Sequence, residues 1–133
     1  MLNSVYFDIA GPQALFAGLG LGVVVLIVGT FIIVFIEATV LKLLKWGTFK
    51  RSLLAAFTMN LVTTIIGFCG IALLLVTSAP VLIVEFLLSV LIEGGILMLF
   101  KRGAARENWL AALLANLASY LLIILPAYIF FIV

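Results

Sequence analysis

Four long apolar runs, separated by three short polar breaks, organise the chain. From about Ala14 to Leu44 the only ionisable groups are Glu37 and Lys42; further apolar runs cover about Ser52–Val76, Val81–Phe100 and Trp109 to the end. Each run is near or above the roughly 20 residues that carry a helix across a ~30 Å hydrocarbon core. The breaks fall at Lys45–Arg51, Thr77–Pro80 and Lys101–Asn108. This pattern predicts an all-α integral membrane protein, one transmembrane domain over residues 1–133, with four spanning helices. The first run, some thirty residues at 1.5 Å each, would measure roughly 45 Å and so must tilt or project beyond the bilayer. Residues 1–11, with Tyr6 and Phe7 among polar neighbours, suit an interfacial segment, and Gly11-Pro12 would open the first helix. Pro126 should kink the last helix near its end.

The polar positions inside the apolar runs recur. Moving 56 residues along takes Glu37 to Glu93, Leu41 to Leu97, Lys45 to Lys101, Gly47 to Gly103, Ala55-Ala56 to Ala111-Ala112 and Asn60 to Asn116; Thr63 finds Ser119. The chain therefore divides into two tandem hairpins, repeat 1 over about 14–77 and repeat 2 over about 80–133. Each joins two apolar helices through a basic turn. In each, Glu lies eight residues before the turn lysine, about 12 Å inside the basic level. Asn lies at nearly the same depth on the returning helix. A pseudo-two-fold axis along the membrane normal would gather Glu37, Asn60, Glu93 and Asn116 into one cluster. A carboxyl at that depth costs a few kcal/mol if charged and alone, so it should face inward and be paired or protonated. Asn can hydrogen-bond either form. Thr63 and Ser119 extend the Asn faces as secondary polar positions. Glu85 has Gly29 at the equivalent place in repeat 1, and is expected to snorkel toward the interface near Pro80.

Charge sets the orientation. Lys42, Lys45, Lys50 and Arg51 surround the first basic turn and Lys101, Arg102 and Arg106 the second, which accounts for all seven basic residues. The N-terminal segment, the Thr77–Pro80 break and the C-terminus carry none. By the positive-inside rule both basic turns are expected in the cytoplasm and both termini outside, in a cytoplasmic membrane. Trp46 and Trp109 should lie at the interface, Gly47 should cap the first helix, and Thr48 or Ser52 should open the second. Gly18 and Gly22 form a GxxxG pair, with Ala14 one turn earlier, and suit a close intramolecular helix crossing better than a homodimer seam.

Composition narrows the chemistry. Apolar residues make up 68% of the chain and the mean hydropathy is +1.52, so lipid is the solvent and the first partner. There is no histidine and one cysteine, Cys69, set in an apolar segment as a small packing residue. His/Cys metal sites and intrachain disulfides are excluded. No basic, aromatic-interleaved stripe points to nucleic acid. With no phosphate loop, no nucleophile–base pair and no cofactor motif, no catalytic residue and no cofactor is expected. Absence of a basic n-region argues against a cleaved leader. Two functions remain. One is a non-enzymatic structural or accessory protein, working beside other membrane subunits or as a homo-oligomer, whose Glu/Asn pairs staple helices together. The alternative is a small channel or proton/cation-coupled transporter using the Glu37/Glu93 pair.

Overall fold

Leu, Ala, Val, Ile and Phe dominate runs that hold few helix breakers, and in lipid a helix alone satisfies every backbone group within its own segment. The computed structural model accordingly describes residues 3–71 and 79–132 as helices and tight turns, with no strand among them. The elements are α1 (Asn3–Leu43), α2 (Phe49–Ile71), α3 (Ala79–Phe100), α4 (Ala105–Ser119), a π-helical turn (Tyr120–Ile124) and α5 (Leu125–Ile132). Among the described residues, three stretches are long and apolar enough to cross a membrane: Val23–Leu43, Pro80–Phe100 and Ala105–Phe130. Thr77 and Ser78 of the Thr77–Pro80 break lie outside the described residues. So do the surroundings of Gly18, Gly22 and Cys69.

Two compact units divide the chain, Met1–Phe31 and Ile32–Val133. In the first, the backbone is helical from Asn3, nine residues before the Pro12 expected to open the helix. Its described apolar side chains, Val23 to Val28 and Phe31, are exposed. All packing considered below belongs to the second unit.

That unit turns the soluble pattern inside out. Leu, Ile, Val and Phe cover its outside, Leu99, Leu122 and Phe130 among the most exposed, while Glu37, Ser52, Asn60, Glu93, Asn108, Asn116 and Ser119 are buried. Water would penalise such a surface heavily; hydrocarbon does not. The chain is therefore a membrane protein. Its interior is built from small or slender side chains, namely Ala38, Leu41, Ala55, Ala56, Met59, Leu97, Ala111, Ala112 and Ala115, which let helix backbones approach closely. Many of the buried positions lie 56 residues apart, Glu37 and Glu93, Ala38 and Gly94, Leu41 and Leu97, Ser52 and Asn108, Ala55-Ala56 and Ala111-Ala112, Met59 and Ala115, Asn60 and Asn116, whereas buried Val34, Trp46 and Ser119 have no buried counterpart at that spacing. Along the chain, α2 packs on α3 and α3 on α4.

The two basic turns close differently. After α1, the Trp46 amide donates to the Leu41 carbonyl and the Lys45 amide to that of Lys42, both at 3.0 Å. These are the paired bonds of a Schellman cap, and Trp46 and Leu41 are both buried, as its apolar contact requires. The left-handed residue is Lys45, with φ 56°, and not Gly47 as expected from residue type. In the second turn glycine takes that conformation at Gly103, φ 82°. A side chain in the left-handed region costs roughly 1–2 kcal/mol, somewhat more than glycine's extra entropy loss on folding. Lys45→Gly is therefore expected to stabilise the protein by about 0.5–1 kcal/mol. Thermal unfolding in lipid nanodiscs checks this, and a lowered midpoint would contradict it. Thr48 opens α2, its hydroxyl accepting the Arg51 amide at 3.4 Å; Ser52 lies inside the helix and does not cap it.

Near the end of the chain the irregularity begins before Pro126. Leu125 donates its amide to the Tyr120 carbonyl, one residue wider than an α-helical bond. Proline lacks the amide that the preceding turn would need, and the widened turn absorbs that loss.

Candidate functional site

A carboxylate buried in an apolar helix must find donors on its neighbours. Glu37, on α1 and 1% exposed, finds two: Asn60 Nδ2 on α2 donates to its Oε2 at 2.5 Å, and Ser119 Oγ on α4 donates to its Oε1 at 2.9 Å. Glu93, on α3 and 2% exposed, accepts Asn116 Nδ2 at 2.7 Å and has the Thr63 side chain of α2 as neighbour. The two carboxyls lie within electrostatic reach of each other.

Each Asn spends its second amide hydrogen inside its own helix, on the carbonyl four residues back, Ala56 or Ala112, at 3.0 Å in both cases. Both hydrogens are then engaged, so the amide plane is locked and aimed at its Glu. Ser119 lies three residues beyond Asn116, as Thr63 does beyond Asn60, close to one helical turn. Consequently α4 holds Glu93 through Asn116 and Glu37 through Ser119, while α2 holds Glu37 through Asn60 and lies beside Glu93 through Thr63. The four helices are joined in a closed circuit, in which Asn serves its own hairpin and the hydroxyl residue serves the other. Thr63 and Ser119 also bond carbonyls of their own helices, to Met59 at 2.8 Å and to Asn116 at 3.0 Å. A hydroxyl has one proton, so it serves one acceptor at a time.

A second polar layer joins the basic turns. Trp46 is buried at 2% exposure, and its Nε1 donates to Asn108 Oδ1 at 2.8 Å. Asn108 Nδ2 in turn donates to the Lys101 carbonyl at 2.7 Å. Lys101 Nζ reaches the Trp46 carbonyl at 3.4 Å and pairs with Glu107 at 2.5 Å. Arg51 donates to the Phe100 carbonyl and stacks its guanidinium over the Trp46 ring, 5.4 Å from the centroid. Trp46 is therefore not the interfacial ring expected of it: an indole N–H next to a buried amide oxygen is held inside. Nothing in the type or spacing of Asn108 marked it as that partner. Of the seven basic residues, Arg51 and Lys101 make these links between the turns; Lys42, Lys45, Lys50, Arg102 and Arg106 are exposed.

Trp109 is 37% exposed, but one edge of its ring covers Gly94 so closely that a Cβ there would lie 2.3 Å from two ring carbons. Glu85 is half-buried on α3, with its carboxyl within electrostatic reach of the Tyr120 hydroxyl, and Ser89 is a neighbour of that hydroxyl. The Tyr120 ring meets Phe86 edge-on, 5.1 Å between centroids. Compared with family models, curated proteins and solved structures, the chain matches none.

Proposed function

We propose that the protein is a small, non-enzymatic polytopic membrane protein that acts as a structural or accessory subunit, alone as an oligomer or beside other membrane subunits. In this reading α2 is a fourth span, and the chain is a duplicated hairpin with both copies in the same orientation. Both basic turns face the cytoplasm and both termini face outward, on the strength of seven basic residues at one level and none at the other. One observation carries the reading. The intramembrane carboxyls are already bound, Glu37 to Asn60 and Ser119 and Glu93 to Asn116, in a circuit that cross-links four helices. Interhelical bonds of this kind contribute about 0.6–2 kcal/mol each, enough to fix which packing of four apolar rods is adopted.

The reading predicts that the chain, extracted in native lipid nanodiscs and weighed by mass spectrometry, emerges as a homo-oligomer or with other membrane proteins at fixed stoichiometry. A chain that emerges alone, as a monomer with no partner, would sink it. A second reading, a proton- or cation-handling membrane protein, is favoured by one feature: two acidic groups sit within electrostatic reach of each other in the membrane interior, where packing alone requires only one polar partner for each helix pair.

A further inference from the structure

Around the Glu cluster, one set of intramembrane polar side chains is not needed to cross-link the helices. Glu85, Ser89 and Glu93 are four residues apart on α3 and so share one face. Asn116 and Tyr120 are likewise four apart on α4 and its π-helical continuation. The two faces meet: Asn116 donates to Glu93, Tyr120 packs its ring on Phe86, and its hydroxyl has Ser89 and Glu85 as neighbours. The backbone departs from α-helix at Tyr120 itself, and π-helical turns of this kind recur where a side chain is re-aimed for function. In repeat 1 the corresponding positions are Gly29, Ile33 and Thr64, so the duplication did not impose this track.

We infer that Glu85, Tyr120 and Ser89 form a proton path linking the buried Glu37/Glu93 pair to the membrane face remote from the basic turns. The inference rests on the proton-handling reading above. Glu85 is the entry, about 24 Å from the Lys101 level, against about 12 Å for Glu93. A proton held by the Glu85 carboxyl passes to the Tyr120 oxygen as Tyr120 releases its own toward Ser89, and Ser89 does the same toward Glu93. Each hydroxyl is neutral before and after and resets by rotation, and a bridging water carries the proton across any gap longer than a hydrogen bond. The carboxyls facing the track are Glu85 and Glu93 from α3 and Glu37 from α1; α2 contributes the hydroxyl of Thr63, which is not ionisable.

The test reconstitutes the purified full chain in vesicles carrying an internal pH dye, with proton entry driven by a potassium diffusion potential. Wild type should acidify the vesicles at least about tenfold faster than protein-free controls, and Tyr120→Phe, which keeps the ring on Phe86, should lose most of that gain, as should Glu85→Gln and Ser89→Ala, since each removes a positioned proton carrier. Ser89→Thr, which restores a hydroxyl, should recover it. Unfolding midpoints of the same preparations identify any loss caused by misfolding, and the Ser89→Thr rescue keeps the test decisive even if one variant folds poorly. If Glu93→Gln stops the flux while Tyr120→Phe and Glu85→Gln leave it intact, the path is wrong and proton handling stands. If wild type moves no protons above control, both fall.

Discussion

Glu37→Ala is expected to destabilise the bundle by about 2–4 kcal/mol, because it removes two interhelical hydrogen bonds and leaves a cavity where a fully packed side chain was. Both glutamates should tolerate a milder change. Glu37 receives a donor on each oxygen, Asn60 on one and Ser119 on the other. In Glu37→Gln the NH₂ can face Ser119, whose hydroxyl accepts it and turns its own proton to the Asn116 carbonyl, while Asn60 keeps the remaining oxygen. Glu93 accepts Asn116 on one oxygen, and Glu93→Gln can likewise place its NH₂ toward the Thr63 hydroxyl. Each Gln variant should therefore cost below about 1 kcal/mol. Steric-trap or denaturant unfolding in bilayers measures these costs. A Gln variant as weak as Glu37→Ala would mean that the carboxyl is held by something other than these hydrogen bonds.

Gly94→Ala is expected to cost about 2 kcal/mol or more, although it adds one methyl group to a helix that alanine otherwise favours. The added Cβ would meet the Trp109 ring at 2.3 Å, far inside contact distance, so the ring must leave α3. Fifty-six positions earlier the sequence holds an alternative pair: Ala38, fully buried, in place of the glycine and Leu53 in place of the tryptophan. The double variant Gly94→Ala with Trp109→Leu should therefore recover most of the lost stability, whereas independent sites would add their costs. The same unfolding assay checks both. A double variant as weak as the sum of its singles would mean that Gly94 serves something other than the tryptophan's approach.

How much of this could be read beforehand varied with the kind of interaction. The Glu37–Asn60 and Glu93–Asn116 pairings were legible because a lone carboxyl inside an apolar helix must find a partner, and only one carboxamide on each returning helix lies at its depth. That Ser119 crosses to the other hairpin's Glu37 was not legible. Spacing places Ser119 on the Asn116 face, but which neighbour that face meets depends on how α4 is rotated against α1. Residue type misled at Trp46 and Lys45. Trp beside lysines usually marks an interface, yet here Asn108 supplies a buried acceptor from 62 positions away. Glycine usually takes the left-handed cap, yet the buried Leu41–Trp46 contact places the cap two residues before Gly47. Pro126 suggested a kink at its own position, whereas the irregularity described is a widened turn over Tyr120–Ile124 ahead of it. Gly94 gave no sign either, because its role exists only once Trp109 has packed over it.

The circuit's central claim is that Glu37 is held jointly by its own hairpin and by the other one. A double-mutant cycle of Glu37→Ala and Ser119→Ala, read as unfolding free energy in bilayers, addresses that bond directly, since the pair is 82 residues apart in sequence and 2.9 Å apart in space. The closed circuit predicts a coupling of about 0.6–2 kcal/mol, the range of interhelical hydrogen bonds in membranes. Additive costs, with coupling below about 0.3 kcal/mol, would mean that the two hairpins are not joined through Glu37.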